Sequence, residues 1–171
     1  MRRLTRTIEE IGWTDVPRLP ASATVAAALE LMRNQSHDSV LVLRGDGDGD
    51  GDGAGEGLVG IFTSRDVMTR VAAPRRDVAT VTLAEVMTPA PRTLAPSDPV
   101  AFAINWMAIE GFRNVPVVER EGGGRVRGVL TVWDVMRQIS SLFDEIDATP
   151  RDVAPQDDIS GVTTVDLGGG A

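Results

Sequence analysis

The chain switches between β-rich runs and stretches of helical periodicity, and it does so twice in the same order. Val25, Ala28, Leu29 and Met32 recur at i, i+3, i+4 and i+7, which predicts an amphipathic helix over Thr24–Gln35. A matching helix is predicted over Pro99–Glu110, with Ser22 and Ser97-Asp98 as candidate N-caps and Pro99 at a first helical position. A short extended segment precedes each helix, Arg18-Leu19-Pro20 in one case and Arg92-Thr93-Leu94 in the other. Two β-rich runs follow, Ser39–Leu43 with Leu58–Phe62 and Val115–Val118 with Val126–Leu130, joined by Gly-rich turns as hairpins require. A second helix closes each copy, from Ser64 to about Ala72 and from Val132 to about Leu142. The unit is therefore β-α-β-β-α.

The two copies are related in sequence as well as in pattern. At an offset of 75, Leu19–Leu43 and Leu94–Val118 share 8 of 25 residues; at an offset of 68, Gly60–Val71 and Gly128–Ile139 share 5 of 12. The first copy thus carries seven extra residues, which fall in its Gly-Asp run. One such unit buries little apolar surface alone. Two units stacked sheet against sheet would share a core, in which Trp106, Trp133, Phe102 and Phe112 are expected. The fold class read from this pattern is α+β, two packed repeats with pseudo-twofold symmetry.

Composition narrows the chemistry. The 171 residues hold no Cys and one His, which excludes disulfides and thiolate chemistry and makes a His-based metal site or a Ser-His-Asp triad a poor reading. No run approaches about 18 apolar residues, and Met1–Trp13 lacks the apolar stretch of a signal peptide, so a cytoplasmic protein with no membrane partner is expected. The net charge of −8 is unevenly placed. Arg44–Gly57 carries −4 and Asp144–Ala171 carries −6, which leaves +2 for the rest. An anionic small ligand is compatible with that remainder. Nucleic acid is not expected, because no Arg cluster with interleaved aromatics occurs and Tyr is absent.

The candidate chemistry lies where each hairpin meets its second helix. Thr63-Ser64-Arg65-Asp66 and Thr131-Val132-Trp133-Asp134 occupy matching places. One reading is a capping box, with the acid reaching back to the start of the helix. The other uses the same geometry for a ligand: free N–H groups and a hydroxyl suit phosphate, and a carboxylate can accept from a ribose diol. Arg113, in Arg113-Asn114-Val115-Pro116, stands before a core strand and could clamp phosphate. The first copy has His37-Asp38-Ser39 there, and Arg65 could supply charge from the other side.

Val86-Met87-Thr88-Pro89, Asn114-Val115-Pro116-Val117-Val118 and the Gly-x-x-Thr-x-x-Asp ending of both repeats carry a resemblance. Over about Gly12–Leu142 the chain resembles a tandem pair of CBS domains, a Bateman module, of the stand-alone bacterial type. The resemblance implies repeats at 12–73 and 86–142 and two clefts that take adenine nucleotides or related adenosyl ligands. It implies that Asp66 and Asp134 hold ribose, that Thr63 and Thr131 contact ribose or phosphate, and that Arg113 contacts phosphate. Residues near Thr93, Asn114 and Val115, with Val40 at the matching position of the first repeat, would line the adenine pocket. It further implies a flat homodimer and a regulatory, non-catalytic role toward an unidentified partner protein. Asp38 and Arg18 replace the residues matching Arg113 and Thr93, so the cleft using Asp134 is expected to be the better one. A structural dimerisation or adaptor module with no bound nucleotide is the alternative.

Two segments stand outside the repeats. Asp46-Gly47-Asp48-Gly49-Asp50-Gly51 matches half of a calcium-loop pattern, but position 12 is Gly57 where a Glu is required, so the 44–57 loop is expected to be a solvated hairpin loop without a metal. Residues 143–171 are expected to form an acidic, disordered tail, with Val162–Leu167 as a conceivable edge strand.

Overall fold

The computed structural model describes residues 6–45, 57–120 and 124–140 in full and 141–146 as backbone. The expectations for the acidic loop and for the chain beyond 146 lie outside the described residues. The chain divides into two units, residues 1–138 and 139–171; the first, described here, holds the first repeat and the second as far as Gln138.

The first repeat follows the predicted order. Strand β1 (Arg18–Pro20) leads to α2 (Val25–Gln35), then β2 (Ser39–Leu43), β3 (Leu58–Thr63) and α3 (Ser64–Asp66), which continues as a π-helical turn over Val67–Ala72. Short helices that periodicity did not reveal precede each repeat: α1 (Ile8–Ile11) and α4 (Leu83–Val86). Each has a Thr-x-x-Glu start, in which Glu10 accepts from the Thr7 N–H and Glu85 from the Thr82 N–H. The second repeat contributes β4 (Thr88–Pro89), α5 (Val100–Glu110), β5 (Asn114–Val118), β6 (Val126–Thr131) and α6 (Val132–Ile146). Helix α6 thus runs past Leu142 and takes in the first residues of the expected tail.

The first sheet has the order β1-β2-β3-β4, and its last strand is the opening of the second repeat. Thr88 pairs with Ile61 and Pro89 with Gly60. The second sheet, β5-β6, is extended on one side by a bridge within its own repeat, Leu94 to Val117, and on the other by Thr14, which bridges Val129 from the segment before the first repeat. The segment before each repeat therefore adds to the sheet of the other. The same exchange ties the short helices in. Ile8 N–H donates to the Asp98 carbonyl and Val100 N–H to that of Arg6, while Leu83 N–H donates to Ala23 and Val25 N–H to Val81.

Two glycines at matching places record how closely these segments pass. A Cβ on Gly60 would lie 2.9 Å from Met87 Cγ and 3.1 Å from the Thr88 carbonyl oxygen. One on Gly128 would lie 2.5 Å from the Thr14 carbonyl oxygen and 2.7 Å from Trp13 Cδ1. No side chain fits either position without displacing the neighbour.

Strand β2 is buried on both faces, and its alternation sorts two cores. Val40 and Val42 join Phe62 beneath α2, where Val25, Ala28 and Met32 pack with Val71, Leu83 and Val86. Leu41 and Leu43 face the other way, toward Ile61, Val16, Val126 and Val129, and there the two sheets meet. Aliphatic side chains fill this inter-sheet layer, and the expected aromatic core is not formed. Trp133 is 73% exposed and Phe102 is 52% exposed. Trp106 and Phe112 are half-buried. Helix α5 is apolar on most sides, so its pattern could not single out the buried face, which carries Val100 and Ala103.

The caps also differ from expectation. Thr24 caps α2, its hydroxyl accepting from the Ala27 N–H at 3.3 Å. Pro99 is the N-cap of α5, while the Asp98 carboxylate receives the Ala95 N–H at 2.8 Å and pairs with Arg120 at 2.7 Å.

Candidate functional site

Each Thr-x-x-Asp forms at the junction of a β-strand and a helix. Asp66 Oδ2 accepts from the Thr63 N–H at 2.9 Å and from its hydroxyl at 2.8 Å; Asp134 Oδ2 accepts from the Thr131 N–H at 2.9 Å and from its hydroxyl at 2.7 Å. The capping geometry is therefore present in both copies. Both carboxylates are buried, Asp66 to 5% exposure and Asp134 to 7%.

The exchanged segments supply a second hydroxyl to each acid. Thr88 donates to Asp66 Oδ1 at 3.1 Å, and Thr14 donates to Asp134 Oδ2 at 3.2 Å. Sequence reading missed both as site residues. Leu19 and Leu94 align at an offset of 75, but Thr14 and Thr88 align at 74, so one residue of slip hid the pair. The Thr-x-x-Glu starts at Thr7 and Thr82, again 75 apart, were the signal that could have extended the alignment upstream. A guanidinium completes each cluster, Arg70 Nε at 3.5 Å from Asp66 Oδ1 and Arg137 Nη2 at 3.5 Å from Asp134 Oδ1. Arg70 also donates to the Val86 carbonyl at 3.2 Å and to that of Met87, which ties the π-helical turn to the incoming strand.

A cavity of about 700 Å³ opens beside Asp66. Its floor includes Ile61, Thr63 and Asp66 from the first repeat and Val115 and Pro116 from the second; Thr88–Arg92 form one wall and Gly111–Asn114 another. The structure therefore brings Arg113, Asn114 and Val115 together with Thr63, Arg65 and Asp66. Thr131, Asp134, Thr93 and Val40 are not among its lining residues. The backbone of Arg113 does adjoin Thr131, since its carbonyl accepts the Val132 N–H at 2.9 Å. Val40 lies in the core beneath α2.

The cations around the cavity are not equivalent. Arg92 is engaged, paired with Glu110 and lying 5.4 Å from the Trp106 ring centroid. Among the described residues, Arg65 and Arg113 have no ion-pair partner and are exposed at the opening. Gly111, at φ +72°, ends α5 in the left-handed conformation, which turns the chain toward Arg113. Ala90, between two prolines of the wall, holds φ +42°, a strained value for a residue with a Cβ. The arrangement offers a buried carboxylate with two hydroxyls at one place and two free guanidiniums at another, over a partly apolar floor.

The CBS domain profile matches residues 8–73 and 83–141, and the chain belongs to the CBS-domain family. The CBS domain-containing protein CBSCBSPB1 of Arabidopsis thaliana is 27% identical over 114 residues, 67% of this chain. The chain matches only 19% of that relative's length. Among solved structures, the CBS domain protein PAE2072 from Pyrobaculum aerophilum, complexed with AMP, superposes at a TM-score of 0.65 with 21% identity, covering 84% of this chain and all of that one. CBSX2 in complex with AMP superposes at 0.61 with 20% identity, over 80% of this chain and 98% of that one. These likenesses establish the fold as that of a tandem CBS pair.

Proposed function

We propose that this chain is a ligand-sensing regulatory module that binds an adenine nucleotide or related adenosyl ligand between its CBS repeats and modulates a partner protein. The observation that carries the reading is the cavity beside Asp66, where a buried carboxylate flanked by the Thr63 and Thr88 hydroxyls faces a space also lined by the free Arg65 and Arg113. A carboxylate suits a ribose diol, and paired guanidiniums suit phosphate. The AMP complexes of two proteins of the same fold support it. On this reading Asn114 and Val115 contact the ligand in the same cleft. Thr131, Asp134, Thr93 and Val40 belong to a second, pseudo-symmetric site. Where the sequence favours the Asp134 cleft, this reading places the better site at Asp66, because Arg65 and Arg113 line its cavity.

The module acts in the cytoplasm as a regulator, not a catalyst. It pairs with a second copy through the surface that exposes Met68 and Met136, two methionines at matching places of the repeats, with Trp133 beside the second.

A shift in melting temperature with AMP, ADP, ATP or S-adenosylmethionine tests the reading. Wild type should be stabilised, and Asp66→Ala should lose most of the shift while Asp134→Ala keeps more of it. The adaptor reading has its own support, because both oxygens of Asp66 already have protein partners. It predicts no shift with any of these compounds at millimolar concentration, and a cost of about 1 kcal/mol for either Asp→Ala change through loss of the cap.

A further inference from the structure

Asp38 and Arg113 hold the same place in the two repeats with opposite charge. The Asp38 carbonyl accepts the Ser64 N–H at 3.0 Å as the helix α3 begins; the Arg113 carbonyl accepts the Val132 N–H at 2.9 Å as α6 begins. Both residues line the cavity beside Asp66. The only hydrogen-bond partner of the Asp38 carboxylate among the described residues is the Asn114 amide, whose Nδ2 is 3.4 Å from Oδ2. The carboxylate thus lies beside Asn114, the residue that follows Arg113 in the chain.

We propose that Asp38 is a specificity-determining residue of this cleft, restricting the ligand to a nucleotide with a single phosphate. The proposal rests on the nucleotide reading above. The charge balance of the cavity carries it. Arg92 is held by Glu110, and Asp66 is held by Thr63, Thr88 and Arg70. Among the described residues that line the cavity, the charges without an ion-pair partner are the guanidiniums of Arg65 and Arg113 and the carboxylate of Asp38. A monophosphate of about two negative charges matches the two guanidiniums. Each further phosphate adds about one more negative charge, finds no third unpaired cation among the described lining residues, and approaches Asp38. At a separation of about 8 Å and an effective dielectric between water and protein interior, that repulsion lowers affinity roughly fivefold per added charge, less at high salt.

The test is calorimetric titration of wild type and Asp38→Asn with AMP, ADP and ATP, with a chelator present to exclude divalent cations. Asparagine keeps the backbone carbonyl and an acceptor for Asn114, so the variant should melt near the wild-type temperature. Wild type should bind in the order AMP, ADP, ATP. Asp38→Asn should leave AMP within about twofold and strengthen ADP about fivefold and ATP about 25-fold, with the gain shrinking as salt is raised. If AMP binds but the variant changes all three affinities equally, or none, Asp38 is not selecting for charge and the proposal falls while the nucleotide reading stands. If none of the three binds either protein, the nucleotide reading fails and the proposal goes with it.

Discussion

At the scale of single residues, the short caps are the simplest groups to test. The Thr82 N–H donates to Glu85 Oε2 at 2.9 Å and the Thr82 hydroxyl does so at 3.0 Å. Those two bonds, the backbone one foremost, hold the Glu85 carboxyl below its ordinary value, and Arg76 adds a smaller pull. A lowered folded-state pKa stabilises the protein at pH above the ordinary glutamate value, and that contribution disappears as pH falls through the lowered value. Wild type should therefore be more stable than Glu85→Gln at neutral pH, and denaturant midpoints of the two should converge as pH falls through the lowered value. A difference that persists unchanged in acid would mean that the ionised cap contributes nothing. The two Thr-x-x-Asp sequences were legible because their spacing is local, so strand, turn and helix start could be placed from a few residues. Their second hydroxyls, from Thr14 and Thr88, were not legible, since each comes from a segment far away in sequence.

At the scale of elements, the exchanged strands explain what periodicity could not. The hydrophobic pattern revealed β2, β3, β5 and β6 because alternation and a nearby turn specify a hairpin. It could not reveal β4, two residues long, whose partner strand belongs to the other repeat. The glycines opposite these crossings make the exchange measurable. A methyl on Gly60 meets mainly the flexible Met87 side chain, whereas one on Gly128 meets the backbone of Thr14. Gly128→Ala should cost about 2–3 kcal/mol and Gly60→Ala about 1 kcal/mol in denaturant unfolding. Equal costs would show that the backbone at Thr14 yields as readily as a methionine. The aromatic residues misled for a related reason. Phe102 belongs to a helix with apolar residues on more than one side, and a core of β-branched and Leu side chains had already filled the inter-sheet layer.

At the scale of the molecule, the repeats are two in sequence but one in stability. Leu41, Leu43 and Ile61 share a core with Val126 and Val129, and each sheet is completed by a strand or bridge from the other half. The pair should unfold in a single transition, with calorimetric and van't Hoff enthalpies in agreement, where two independent domains would give two. Two separate melts would contradict the shared core. The twofold plan was visible from the identities at offsets 75 and 68, but the side on which each acid meets its cations was not. Arg113 is close to Thr131 along the hairpin, yet it lines the cavity of Asp66, because the packing of sheet on sheet decides which repeats share a cleft.

The reciprocal strands have a consequence for how such a molecule could be assembled. Since each half completes the other, the linker between them contributes no strand that a second molecule could not supply; it contributes effective concentration. Cutting the chain between Arg75 and Arg76, before α4, should leave two fragments that re-form the same sheets on mixing. A lone repeat would have to find its missing strand in another copy of itself.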